Sequence, residues 1–407
     1  MCARIPMAAT LSVASICRSL PTPDDSSGGI FVLRRLAAMA RLANVHVVQP
    51  IPFFPVVAPL PQWARQSDRD VASLRIHHAP MFYIPKVLKS IDGYWLYRSV
   101  LGALTRANTD RQLDVVDAHF GFPEGVGAFL AAKKMGIPFF VTLRGFEAEY
   151  INKPIIGRQI KHVIRNSDGC ICVSHFLRDL AMRHGASEDK TRVIHNGIDK
   201  DLFRPKDKSQ ARDELSLPSS ARIVVSVGNL ISRKRHHVLI SAFARVLDKQ
   251  ANALMLIAGA ESFEADYPKK LRELVRELGI EQSVIFLGNV DAHEIATYLN
   301  AADVFALGTQ REGCCNAVLE AVACGVPVVT TPVGDNSEFV KEGVNGYIVP
   351  VDDDEMMSEA LTAALERQDW DKDRISSGLQ VGNWGSVASQ VLEFMTERTQ
   401  YQNGVAQ

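Results

Sequence analysis

Short apolar runs separated by polar stretches of helical period recur from end to end of the 407-residue chain. In the first half, Leu11–Cys17, Val45–Gln49, Asp114–His119, Phe139–Leu143 and Gly169–Ser174 read as buried strands, and Ile30–Arg41 reads as a helix between two of them. The second half repeats the rhythm with Ile223–Val227, Leu254–Gly259, Val284–Leu287, Asp303–Leu307 and Val326–Thr330. Strands alternating with helices predict an α/β chain of parallel sheets, and this length suits two doubly wound domains rather than one. Pro205 and the polar run to Ser220 read as the linker. The expected domains are therefore residues 1–205 and 206–380, followed by an amphipathic helix in 381–407 that begins at Trp384.

Two stretches depart from the alternation. Pro50–Pro85 is rich in proline and aromatics, and reads as an irregular loop excursion. Next, Lys86, Lys89 and Arg98 are interspersed with Val87, Leu88, Trp95, Leu96 and Leu101. That stripe suits either an interfacial helix on lipid or, with more weight, a helix packed on its own domain.

Charge changes this picture. The net charge is −1, yet the chain up to Pro205 holds 26 Lys+Arg and 17 Asp+Glu, giving +9, and the remainder gives −10. A basic first half suits an anionic membrane surface or an anionic acceptor, and no nucleic-acid motif accompanies it. The seven cysteines, Cys2, Cys17, Cys170, Cys172, Cys314, Cys315 and Cys324, include no C-x-x-C pair, which fits a reducing cytoplasm. The first twenty residues are mildly apolar with Arg4 near the front, as in a signal peptide, but Leu11–Cys17 serves better as the first strand. No apolar run is long enough to span a membrane.

Candidate chemistry concentrates in Arg311–Gly334, which places Glu312 and Glu320 with seven residues between them and a helix start in the gap. Asn316 is the expected N-cap, and Gly325 with Pro327 the helix stop. N–H groups of Cys314 to Ala317 would favour an anion at the carboxyl end of a strand, and carboxylates beside them suit a ligand with vicinal hydroxyls. Lys234 precedes another helix start, where an ammonium and backbone N–H groups can hold a diphosphate. In the first half, Gly28 and Gly29 stand where a loop becomes a helix, and His119 ends a strand. Val351 is followed by Asp352, Asp353 and Asp354, formally a D-x-D, which its context explains better as helix capping than as a metal site.

The segment Glu312, Glu320, Ala321, Ala323, Gly325, Pro327, Val328, Val329 resembles the donor-site motif of the retaining glycosyltransferases of family 4. The resemblance covers most of the chain and is strongest from Ser226 to Pro350. It implies the glycosyltransferase B architecture, two Rossmann-like domains facing across a cleft with the final helix crossing back to the first, a nucleotide diphosphate sugar as donor and neither metal nor cofactor. It extends to exopolysaccharide or teichuronic-acid-type enzymes. Carried over residue by residue, it implies that Lys234 and Arg233 stabilise the departing diphosphate and that Glu320 holds the ribose. Glu312, with the backbone of Gly313, Cys314, Cys315 and Asn316, would hold the donor sugar. Asn289 and Val290 would lie beside the base, and Gly28, Gly29, His119, Arg144 and Glu147 would face a glycan or lipid-linked acceptor. The chain departs from the family in two places. Asn229 stands where an arginine is usual, with Arg233 as the expected substitute. Arg144 and Glu147 stand where a histidine and an aspartate are common, which points to an anionic acceptor.

Rival readings are a catalytically inactive nucleotide-sugar or polysaccharide-binding subunit and an epimerase of the same architecture. A pyridoxal phosphorylase lacks sequence context. A dinucleotide oxidoreductase would need a third glycine beyond Gly125 and Gly127.

Overall fold

The structure is a computed structural model that describes residues 11–25, 28–65, 68–261, 264 and 266–405. The expectations resting on Cys2 and Arg4 lie outside the described residues, as do Ser26 and Ser27 of the glycine-bearing loop. The chain divides into two compact units, Met1–Gly197 with Gly382–Gln407, and Ile198–Val381. Residues 198–205, expected with the first domain, group with the second unit.

The first unit holds β1 (Ser12–Ile16), β2 (Asn44–Phe53), β3 (Asp68–Val71), β4 (Leu74–Phe82), β5 (Val115–His119), β6 (Phe139–Leu143), β7 (Gly169–Cys172) and β8 (Thr191–Val193). They form one sheet in the order β3-β4-β2-β1-β5-β6-β7-β8, parallel throughout except for the β3–β4 pair. Its helices are α1 (Ile30–Met39), α2 (Asp92–Asp110), α3 (Val126–Met135), α4 (Glu147–Tyr150), α5 (Pro154–Asn166) and α6 (His175–Arg183). Every residue of β1, β5, β6 and β7 is buried, as expected of parallel strands covered on both faces.

Much of the proline-rich stretch after Gln49 is sheet, with irregular chain mainly after Phe53 and before β3. β2 runs on to Phe53 and pairs with β4 over Val47–Phe53, and β3 folds back on β4. Cys17 N donates to Val48 O on the β1 side, while Tyr83 N donates to Phe53 O on the β4 side. Even-numbered positions of β2 therefore point their backbone toward β1, and Pro50 and Pro52 fall beyond the end of β1, where no ladder bond is lost. The stripe after Lys86 becomes α2, which buries Leu96, Val100, Ala103 and Leu104 within its own unit.

In the second unit the strands are β9 (Arg222–Val227), β10 (Ala253–Ala258), β11 (Val284–Gly288), β12 (Val304–Leu307), β13 (Val328–Thr330) and β14 (Gly346–Ile348). The order is β11-β10-β9-β12-β13-β14, all parallel. The helices are α7 (Lys208–Glu214), α8 (His236–Leu247), α9 (Asp266–Glu277), α10 (Ala292–Ala301), α11 (Asn316–Ala323), α12 (Asn336–Phe339), α13 (Asp354–Glu366) and α14 (Lys372–Ser377). A final helix, α15 (Trp384–Val405), belongs to the first unit, where Trp384, Val387, Val391 and Phe394 join a core with Leu33, Leu36, Phe140 and Ile171.

Each sheet reverses direction once. The chain winds outward from β1 to β2 and then crosses to β5 on the other side of β1. It likewise winds from β9 through β10 to β11, then crosses to β12 on the other side of β9. The crevice at the carboxyl ends of such a strand pair is where open α/β sheets bind ligands.

Candidate active site

In the second unit that position is occupied by the residues following β9 and β12. A short 3-10 turn, Ser232–Lys234, carries the basic pair, and the loop after β12 carries Glu312. Lys234 Nζ lies 2.8 Å from Glu312 Oε1, and Arg233 Nη1 lies 3.2 Å from Glu312 Oε2. Thr309 Oγ1 donates to Glu312 Oε1 at 2.8 Å, and the Thr309 carbonyl accepts from the Thr331 hydroxyl. Glu312 is 8% exposed. Burial would raise its pKa, but Lys234 and Arg233 outweigh burial and hold the carboxyl below its ordinary value.

Two details show how tightly the lysine is placed. A Cβ added at Gly228 would stand 3.1 Å from Lys234 Cε, so the absence of a side chain there gives the lysine stem its channel. His236, fully buried at the start of α8, contacts the Gly228 carbonyl through Nε2 at 3.1 Å, and burial pushes its pKa down to about 4. A neutral imidazole donating from Nε2 therefore pins the loop behind Lys234. Neither Thr309 nor His236 is singled out by the sequence, because a lone threonine or histidine carries no pattern that reveals its partner.

Helix α11 begins one residue earlier than expected. Cys315 is the N-cap and Asn316 the first helical residue, with no capping side chain and no acid in the first turn. The positive end of a helix dipole favours an anion. Gly313, Cys314 and Cys315 are buried in the loop, and burial followed by Glu312 pushes the Cys315 thiol up to about 12. That thiol is protonated and no nucleophile. Glu320 is buried on α11, where burial followed by Glu320 pushes the Cys324 thiol up to about 12 as well. Asn289 and Val290 follow the edge strand β11, and Asn289 is exposed, as is Asn229. Asp353 caps α13 by accepting from Met356 N at 2.9 Å, while Asp352 binds Arg235 Nε at 2.8 Å. The D-x-D is thus committed to capping and to an ion pair.

In the first unit the crevice lies at the ends of β1 and β5, with β6 alongside. His119 has no solvent exposure. Arg144 Nε donates to its Nδ1 at 3.0 Å, and because a guanidinium has no lone pair, Nδ1 must be the bare nitrogen. Its Nε2 then donates to Ser15 Oγ at 3.1 Å. Burial, with Arg144 and Arg35 nearby, depresses the imidazole pKa well below its usual value. Both ring nitrogens of His119 are thus engaged, by Arg144 and by Ser15, and the histidine holds the arginine. Glu147 is engaged in the same way. It is 1% exposed, with Oε1 accepting from Gly121 N at 2.7 Å and Oε2 from the backbone N–H groups of Gly145 at 2.8 Å and Arg144 at 3.2 Å. Both oxygens fix the turn that carries Arg144, whose Nη1 also donates to Asn196 Oδ1 at 3.1 Å.

Gly28 donates its N–H to Asp25 Oδ1 at 2.9 Å. Gly29 caps α1 with φ 63°, and a Cβ there would come within 1.7 Å of the Ser19 carbonyl, so backbone packing alone requires glycine. The charge left at this edge is Arg144 together with Arg18, which follows β1 and lies 3.4 Å from the buried Glu124.

An acid titration distinguishes a buried functional pair from a surface one. Glu312 has a folded pKa below its unfolded value, so its contribution to stability is present above about pH 4.3, the ordinary glutamate value, and is lost as pH falls through the folded pKa. The advantage of wild type over Glu312→Gln in Tm is expected to be full near neutrality and to shrink below about pH 4. A pH-independent gap would mean that the carboxylate carries no linked stability.

Comparison with known proteins fits this geometry. Residues 28–202 match the family model described as Glycosyltransferase Family 4, and residues 207–380 match Glycosyl transferases group 1. The N-acetyl-alpha-D-glucosaminyl L-malate synthase of Bacillus anthracis is 29% identical over 244 residues, 59% of this chain and 62% of that protein. The D-inositol 3-phosphate glycosyltransferase of Stackebrandtia nassauensis is 31% identical over 265 residues, 61% of this chain and 59% of its own length. The chain thus spans about three-fifths of the curated relatives it matches. Among solved structures, a sucrose-phosphate synthase from Thermosynechococcus elongatus superposes with a TM-score of 0.78 at 21% identity, covering 98% of this chain and 100% of the other. Anabaena HepE in complex with UDP-glucose gives 0.70 at 20% identity, covering 97% and 100%. These likenesses show the glycosyltransferase B fold. With its first unit matched by one family model and its second by the other, the chain belongs with the family 4, group 1 glycosyltransferases.

Proposed function

We propose that this protein is a retaining glycosyltransferase, moving a sugar from a nucleotide diphosphate sugar to a hydroxyl of a glycan or lipid-linked glycan in bacterial surface polysaccharide assembly. The observation that carries the reading is the contact of Lys234 and Arg233 with Glu312 at the switch point of the second sheet, beside the start of α11. Charge develops on the diphosphate as the glycosidic bond breaks. A preplaced ammonium, a guanidinium and helix N–H groups stabilise that charge without reorganising. Glu312 holds the two cations in place before the donor arrives and accepts hydrogen bonds from sugar hydroxyls afterwards. Glu320 holds the ribose, and Asn289 and Val290 flank the base. The cations and helix start supply the neutralisation that a metal would otherwise give.

On the acceptor side, Arg144 and Arg18 suit a substrate bearing phosphate or carboxylate. L-malate and inositol 3-phosphate, named for the two relatives, both carry such a group. The reaction is placed on the cytoplasmic side of the membrane. A thermal-shift and hydrolysis screen across nucleotide diphosphate sugars, with and without EDTA, tests the donor half. One donor should raise Tm in wild type, indifferent to EDTA, and fail to do so in Glu312→Ala and Lys234→Ala. If no donor stabilises the wild type, the inactive binding subunit is the better reading.

A further inference from the structure

We propose that the outer face formed by α2, α3 and α5 of the first unit docks on an anionic phospholipid bilayer. A cavity of about 410 Å³ opens between these helices, lined by Ile91, Tyr94, Phe129, Leu130, Arg158 and His162 among others. Its surroundings expose apolar side chains that a water-facing surface would not choose. Val87 is 54% exposed and Leu88 58%, with Ile91, Tyr94, Leu130 and Ile155 also exposed. Leu88 at φ 51° and Lys86 at φ 65° are left-handed, a conformation that L side chains rarely adopt, so the turn that holds Val87 and Leu88 outward is strained. Grouped exposed apolar residues of this kind mark an interaction surface.

Charge decides what the surface meets. Arg158 lines the cavity, Lys133 Nζ stands 5.7 Å from the Phe129 ring centroid, and Lys161 lies one turn along α5 from Arg158. Helix α3 contributes Lys133 and Lys134, and α5 contributes Arg158, Lys161 and Arg165. Neither helix contains an Asp or Glu. On α2, Asp92 is buried and lies 3.5 Å from Lys89 Nζ, and Asp110 is the last residue of the helix. A second copy of the chain would bring the same positive field to a symmetric contact and be repelled. A bilayer rich in acidic headgroups offers the opposite sign and an apolar layer beneath it for Leu88 and Tyr94. The surface involves none of the residues assigned to the donor, so this inference does not depend on the donor reading.

Flotation of the full chain with vesicles tests it. Binding is expected to vesicles of mixed phosphatidylglycerol and phosphatidylcholine, weakening as salt rises, and not to phosphatidylcholine alone. Arg158→Gln with Lys161→Gln should reduce partitioning by about 25-fold, about fivefold per charge. Tyr94→Asp should abolish it. All three positions are solvent-facing or partly so, hence Tm and donor-induced stabilisation should stay unchanged. Equal binding to neutral vesicles, or none to either, overturns the proposal. So does a wild-type dimer in sedimentation that Tyr94→Asp dissolves while vesicle binding persists, which would assign the face to self-association.

Discussion

Replacing Lys234 with alanine is expected to lower kcat about 10²–10³-fold, the scale seen when one preorganised group facing developing charge is removed. The lysine is held by Glu312 at 2.8 Å, with its stem against Gly228, so its ammonium does not have to search for position when a donor binds. The loss should fall on KM as well as on kcat, because the ammonium meets the bound diphosphate and meets more charge as it departs. Arginine should not rescue the alanine variant. The stem packs where Gly228 leaves room for methylenes, and a planar guanidinium needs a wider channel. Initial rates with the donor identified by thermal shift would check this. An unchanged kcat would remove Lys234 from the transition state and leave it a structural partner of Glu312.

Asp117→Ala is the substitution expected to cost most in stability, about 3–5 kcal/mol, the cost of leaving one member of a buried pair alone. Asp117 is fully buried and Arg35 is 2% exposed, with 3.6 Å between Nη2 and Oδ2. Thr142 Oγ1 donates to Oδ1 at 3.2 Å, and Ser15 Oγ to Oδ2 at 3.4 Å. Burial raises the aspartate pKa and lowers that of the arginine, each drawn back by the other's charge. Without Asp117 the guanidinium keeps one hydrogen bond, to Thr142 Oγ1 at 3.1 Å. A double variant, Asp117→Ala with Arg35→Leu, should be more stable than Asp117→Ala alone, since it removes the stranded charge. Urea unfolding of the three proteins decides it. If the double variant is the least stable, the cost lies in packing and not in charge. The same cluster seats His119, so acceptor kinetics should suffer in both.

What the sequence conveyed well was local. Runs of β-branched and apolar residues located β1, β2, β5, β6 and β7 of the first sheet and β9 to β13 of the second, and Lys234 and Glu312 were recognisable from their flanking glycines and helix starts. Their contact was not, because 78 positions separate them and only the crossover from β11 to β12 brings them to neighbouring strand ends. The β3–β4 hairpin was hidden for a different reason. Its two-residue turn is Ala72-Ser73, both at positive φ, where Asn-Gly would have announced it. Prolines in β2 reinforced the loop reading, although they fall where one edge of the strand has no neighbour. The protein partners of His119 and Glu147 were hidden as well, since nothing in a linear pattern tells which backbone or side-chain groups a buried polar residue meets.

The return of α15 to the first unit also orders events in time. Residues 198–381 must be made in full before the helix that completes the first core emerges. At the usual ~5–20 residues per second, the apolar surface around Leu36 and Phe140 waits roughly ten to forty seconds for its cover. On the ribosome, the unit that begins first is the one that finishes last.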